Sequence, residues 1–170
     1  NLGQVMSDRF KVSVSVENDV NVAAVAELAN SESRDFAFVA IGTGIGMGLV
    51  LNGQLRRGYK GVAGELGDLP VGASPRNIGM DPTFELLVGG QAQETRYLAK
   101  FGKAQSLEQI FEIANHGDLA AISFVDDFSW NISVGIKAIC TIVGVEEIIL
   151  GGGIGSRIEL LERVAKNVEL

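Results

Sequence analysis

Residues 36–58 read FAFVAIGTGIGMGLVLNGQLRRG, and the fold turns on how this run is divided. Phe36 to Ile41 is an unbroken, strongly apolar stretch and predicts a strand. Asn52-Gly53 stands between Leu-Val-Leu and Gln-Leu-Arg. That dipeptide predicts a hairpin, because a type I′ turn needs positive φ at both central residues. Between these two signals Gly42, Gly44, Gly46 and Gly48 recur at every second position. On an extended chain they strip one face of side chains, so another chain segment or a ligand must lie close to the backbone. The run is not a Rossmann fingerprint, because it continues into a strand rather than a helix. Two readings are open: a bend or bulge in a twisted hairpin, or bare amides with the Thr43 hydroxyl cradling phosphate oxygens.

Outward from this run, strands and helices interleave, which makes the class α/β. Lys11 to Val16 alternates with period two and predicts a strand. Val20 to Ala29 predicts a helix with a wide apolar face. Asp81-Pro82 resembles an N-cap followed by Pro at the first helical position. The helix after it is interrupted at Gly89-Gly90 and resumes through Tyr97-Leu98. Ser106-Leu-Glu-Gln109 is a capping box opening a short helix to Asn115. Asp118 opens a long helix to about Val143. Glu147 to Leu150 is a short buried strand, Gly151 to Gly155 a loop, and Ser156-Arg-Ile-Glu159 a second capping box.

Bulk properties narrow the function. The 170 residues are enough for one sizeable domain, and 46% are hydrophobic, so the chain folds. Net charge is −7 with no Lys/Arg run, which argues against a nucleic-acid grip by this segment. One cysteine, Cys140, excludes an internal disulfide and a Cys-based zinc cluster. It reads as a small core residue. No run reaches transmembrane length and no signal peptide leads the chain, so a cytoplasmic protein without membrane contact is expected. The start at Asn1 without Met, and a stop inside a helical pattern, suggest a piece of a longer protein.

Three segments carry candidate chemistry. In SVSVENDVNVAAVAE, residues 13–27, Glu17, Asn18, Asp19 and Asn21 crowd the entry to a helix, where they can cap it or hold a polar ligand. In GYKGVAGELGDLP, residues 58–70, Glu65 and Asp68 sit among glycines, either solvated or accepting from several hydroxyls. In ILGGGIGSRIE, residues 149–159, a strand runs into Gly151, Gly152 and Gly153 and then a helix, a layout for a nucleotide or simply a tight turn. His116, in a polar turn, reads as a surface residue without a role.

The ordered set VENDVNVAAVAE, AIGTGIGMGLVLNGQLRRGYKGVAGELGDLPV and ILGGGIG resembles the ROK family of bacterial repressors and sugar kinases. The resemblance spans nearly the whole chain. It implies a single RNase H-like lobe of the actin/hexokinase (ASKHA) type, a mixed sheet flanked by helices, being the C-terminal lobe and incomplete at both ends. The family's first phosphate motif and a repressor's helix-turn-helix would both lie upstream. By this resemblance Asn18 and Asp19 hold sugar hydroxyls, with Asp19 as the catalytic base. Glu65 and Glu85 are further sugar ligands. Gly42, Thr43 and Gly44 match the second phosphate motif, and Gly151 to Gly153 the adenosine motif.

One departure stands out. The family's zinc ligands, a His and three Cys, fall on Asp68, Arg76, Ile78 and Thr83 when Gly79 and Glu85 anchor the match. What remains cannot form such a site, so no zinc is expected. Asp68 accepts hydrogen bonds but cannot donate them when ionised, which alters the sugar contact. With the zinc box gone and a VENDVN segment similar to those of regulators, the reading leans to the sugar- or sugar-phosphate-sensing part of a ROK transcriptional regulator. It would reach DNA only through an absent N-terminal domain. The alternative is a lobe of an ATP-dependent, glucokinase-like sugar kinase using ATP and Mg²⁺. The segment alone is expected to have no kinase activity and no cofactor of its own. A homodimer or homotetramer is compatible with either.

Overall fold

Phe36–Ile41 forms β1, the strand on which both layers of the structure pack; five of its six residues are buried. This computed structural model describes residues 1–71 and 83–168. β1 pairs antiparallel with β2 (Ile45–Leu51), from Phe36 opposite Val50 to Ile41 opposite Ile45. β2 continues through Asn52 (φ 56°) and Gly53 (φ 67°) into β3 (Gln54–Arg56), the turn that the Asn-Gly pair predicts. On its other side β1 pairs parallel with β4 (Glu147–Gly151). The mixed sheet therefore runs β3-β2-β1-β4.

Alternate residues of β1 serve opposite faces. Phe36 and Phe38 join Val50 and Ala24 in a small core beneath α2 (Asp19–Leu28). Ala37, Val39 and Ile41 face the main core, built from α3 (Phe84–Val88), α4 (Gly90–Phe101), α5 (Leu107–Asn115), α6 (Leu119–Val143) and, after the short α7 (Gly152–Gly155), α8 (Ile158–Val168). Tyr97 and Phe101 each meet Phe124 edge to face there and lie tilted against one another, and Phe111 meets Phe128 edge to face. Burying a side chain such as Phe36 contributes about 1.5–3 kcal/mol.

Helix ends follow their sequence signals closely. Ser106 Oγ accepts from Gln109 N while Gln109 Oε1 accepts from Ser106 N, the reciprocal box that opens α5. Asp118 caps α6 through Ala121 N at 2.9 Å, and α6 ends at Gly144 (φ 71°). A break at Gly89 separates α3 from α4 as expected. Among the described residues no helix is long and apolar enough to cross a membrane.

Three expectations need correction. Lys11 to Val16 is not a strand. A helix, α1 (Leu2–Phe10), which the sequence reading leaves unassigned, ends in left-handed Lys11, and an irregular segment follows to Asn18. The alternation is genuine, but a strand needs a neighbour to bond, and none of the described strands pairs with it. Gly151 to Gly155 is not a loop, because β4 takes Gly151 and α7 the rest. Ser156 does not cap α8; its hydroxyl donates back to Gly152 O at 2.8 Å, and Glu159 pairs with Asn115 and Arg157 instead. Cys140 is half-buried against the core. The Asp81-Pro82 cap lies outside the described residues.

Gly46 and Gly48 let α2 settle on β2. A Cβ at Gly48 would lie 2.5 Å from Ala24 Cβ and 2.9 Å from Val20 O; one at Gly46 would lie 2.9 Å from Val20 Cγ2. Gly48→Val is therefore expected to lift α2 and destabilise the fold by about 1–3 kcal/mol. Urea denaturation followed by circular dichroism checks this; an unchanged midpoint would mean that α2 has room to move away.

Candidate functional site

Asn18 has non-helical dihedrals, and its Oδ1 accepts from Val20 N (2.9 Å) and Asn21 N (3.2 Å), so it is the N-cap of α2. Asp19 follows in the first turn and accepts from Val20 N at 2.8 Å. Its charge suits the positive end of the helix. Both side chains are exposed. Among the described residues Asp19's second carboxylate oxygen and Asn18's amide nitrogen have no protein partner. The opening cluster thus caps a helix and still has polar atoms to spare.

Glu17 and Asn21 do different work. Asn21 is buried, and its Nδ2 donates to Glu17 Oε1 at 3.0 Å. Glu17 also accepts from Asn18 N (3.1 Å) and from Arg57 Nε (2.6 Å). The Asn21 amide, then Arg57 and the Asn18 amide, hold the Glu17 carboxyl below the usual carboxylate range.

Glu65, Asp68 and Glu85 are exposed and lie around the first half of β2, where β3 no longer pairs. There the chain after β3 takes over the edge: Met47 N donates to Gly64 O at 3.2 Å. Glu65 and Asp68 flank a 3₁₀ turn, Leu66–Asp68. Glu85 sits at the start of α3, its carboxylate against two glycines. A Cβ on Gly44 would lie 2.6 Å from Glu85 Oε2, and one on Gly67 would lie 3.4 Å from it. Val20, next to Asp19, packs on Gly46. The candidate sugar ligands therefore converge on Gly44–Gly48.

The glycines divide by what faces them. Gly44, Gly46 and Gly48 clear space for Glu85, Val20 and Ala24. Gly151 clears space for the Phe38 ring, and Gly152 has φ 84° with the Ile41 backbone against it. Gly42 and Gly153 are different. Neither has left-handed dihedrals, and among the described residues neither has an atom from outside its own local chain within 4 Å of an added Cβ. Both line one cleft of about 460 Å³, together with Thr43, Gln91, Glu94 and Glu108. α4 anchors its floor, with Gly90 N donating to Gly42 O (2.9 Å) and Gln91 N to Thr43 O (3.0 Å). Thr43 and Gln91 also line an adjoining cleft of about 390 Å³ that contains Glu85.

Glu94 and Glu108 escaped the sequence reading. Glu94 Oε1 accepts from Leu107 N at 3.0 Å. The Glu108 carboxyl is held low chiefly by its own backbone N–H and then by Ser106. The capping box placed Glu108 at a helix start, but nothing along the chain pointed to the cleft. His116 is exposed, with Nδ1 2.7 Å from Glu112 O, away from these clefts.

Of the positions matched to zinc ligands, Asp68 and Thr83 lie close, because Pro70 bridges Thr83 and Phe84 N donates to Leu69 O. Arg76 and Ile78 lie outside the described residues. A carboxylate, a hydroxyl, a guanidinium and an aliphatic chain are not a zinc donor set. Among the described residues no group of three or more His, Cys, Asp or Glu could hold a metal ion.

Known proteins resemble this chain in sequence and in fold. An N-acetyl-D-glucosamine kinase of Histophilus somni is 32% identical over 177 residues, covering 95% of this chain and 58% of that protein. A ROK family glucokinase from Streptomyces griseus, solved in complex with glucose and AMPPNP, matches at TM-score 0.81 and 27% identity, covering 98% of this chain and 61% of that one. A ROK family transcriptional regulator, a homolog of the E. coli MLC protein, matches at TM-score 0.84 and 22% identity, covering 98% and 46%, which shows the fold alone. The chain spans about half to three fifths of the length of the curated relatives it matches. The ROK family model matches residues 1–170, and the chain belongs to the ROK family.

Proposed function

We propose that this chain is the lobe of an ATP-dependent sugar kinase that carries the sugar's hydroxyl ligands and one wall of the nucleotide site. The observation that carries the reading is the pair Gly42 and Gly153. Among the described residues no contact and no left-handed dihedral calls for glycine at either position, yet both line one cleft that adjoins the Glu85 side. Bare backbone lets phosphate oxygens approach amides and the Thr43 hydroxyl. Glu94 and Glu108 repel phosphates and suit ribose hydroxyls or base amino groups, so the triphosphate lies toward Gly42–Gly44.

On the other side of Thr43, a neutral sugar suits a rim of carboxylates that can only accept. Asn18, Glu65, Asp68 and Glu85 orient it. Asp19 takes the proton of the attacking hydroxyl as its oxygen bonds to the γ-phosphorus and the bond to ADP breaks; such a base mainly orients the nucleophile. Mg²⁺ would accompany ATP, and we assign it no residue. The kinase reading is better supported than the regulator reading favoured by the sequence. Glucokinases and N-acetyl-D-glucosamine kinases are among the relatives above 25% identity, whereas the regulator contributes a likeness of fold. Glucose and N-acetylhexosamines are the first substrates to try.

Three expectations follow for the full-length protein. Asp19→Asn keeps a competent helix start, since Asp and Asn serve alike there. It should leave melting within about 2 °C but lower kcat by at least about 100-fold, on the scale of general-base losses. Turnover near wild type would refute the assignment. Gly42→Ala meets no protein atom, so stability should hold while KM for ATP rises about tenfold, as expected if phosphate lies on bare backbone; an unchanged KM would place the nucleotide elsewhere. Elemental analysis should find less than about 0.1 zinc per chain, because the donor set is wrong, and stoichiometric zinc would overturn that.

A further inference from the structure

Arg57 lies outside every candidate ligand set, yet two structural ties meet on it. Its guanidinium holds Glu17, with Nε 2.6 Å from Oε2 and a second nitrogen on the same oxygen. Its carbonyl accepts from Ala63 N at 3.0 Å, closing the turn that runs through Gly58 to Gly61. On the first side, Glu17 is joined to the backbone N–H of Asn18 and to buried Asn21, the first turn of α2. On the second side, Ala63 leads directly into Gly64, docked on Met47, and Glu65, whose N–H donates to Val62 O.

We propose that Arg57 is a positioning residue that sets the spacing between Asp19 and Glu65, the two ends of the sugar site. This rests on the kinase reading for the identity of the ligand, but not for the mechanical link. The two parts of the site come from separate elements. α2 approaches from one face of the sheet, and the Glu65 loop replaces β3 at its edge. Near the site, among the described residues, the polar side-chain contact that crosses from one to the other is the Arg57–Glu17 pair, and Asn21 and the Asn18 amide brace its acidic member. Arg57 is 59% exposed and Glu17 25%, so the link is accessible to salt. Two nitrogens of one planar guanidinium share Glu17 Oε2, which restricts the direction of approach more than a Lys ammonium would.

Two measurements on the full-length protein test this. The first is independent of any sugar. In Arg57→Met, amide hydrogen exchange over residues 62–68 should speed up several-fold relative to wild type, while exchange in β1 and melting stay within error. The second uses glucose and N-acetyl-D-glucosamine with ATP. Arg57→Met should raise KM for the better sugar about fivefold, the upper end for an exposed ion pair, with KM for ATP within twofold and kcat little changed. Arg57→Lys should recover only part of the loss. Wild-type KM for sugar should rise with added salt, and that of Arg57→Met should not. Unchanged exchange over 62–68 overturns the proposal whether or not either sugar is turned over. So does an equal rise in both KM values, or a loss confined to melting, since these describe ordinary structural support. Failure of the wild type to phosphorylate either sugar, with exchange behaving as expected, sinks the kinase reading and leaves the link standing.

Discussion

The close seat of α2 on β2 is the constraint from which the rest follows. Helix and strand approach until Ala24 and the Val20 carbonyl lie where a side chain on Gly48 would be. That distance places Asn18 and Asp19 beside the hairpin. It also leaves Phe36, Phe38 and Val50 roofed by α2, so that β1 is buried on both faces and can be a continuous apolar strand. A sheet covered on one face only would expose those phenylalanines and leave the carboxylates with nothing to converge upon.

Glycine serves two purposes within a few residues of each other. Where the protein itself fills the space, as at Gly44, Gly46, Gly48 and Gly151, glycine is a packing requirement. At Gly42 and Gly153 no described residue from outside the local chain comes that close, and both glycines border one cleft instead. Both kinds look identical in sequence. An added Cβ distinguishes them, because a steric requirement has an identifiable neighbour.

Charge is distributed in keeping with a division into two clefts. The acidic cluster at the start of α2 contains one carboxylate that is spent, Glu17, held low by Asn21, Arg57 and the Asn18 amide, and one that is spare, Asp19. A chain with net charge −7 presents acceptors to a neutral polyol without penalty, while a polyphosphate must be met by amides and hydroxyls. Thr43 and Gln91 line both clefts.

Local chemistry made much of this legible along the chain. The Asn52-Gly53 turn, the Ser106–Gln109 box, the Asp118 cap and the apolar run of β1 depend on neighbours in sequence, and each appears in the structure as its pattern predicts. The ordered motifs likewise named the family and its candidate ligands. Other features depend on what lies across space. The alternation of Lys11 to Val16 is a strand only if another strand pairs with it, and Ser156 caps a helix only if its hydroxyl oxygen accepts from the amides ahead of it, whereas here the hydroxyl turns back to donate to Gly152 O. The distinction between glycines that neighbouring groups pack against and glycines that border a cleft, the acidic residues Glu94 and Glu108 in that cleft, and the joining of Glu17 to Arg57 forty residues away were settled by tertiary structure. The physical reason is that a turn or a cap is closed by bonds among adjacent residues, whereas a cleft, a close approach or an ion pair is defined by groups that the chain brings together only after it has folded.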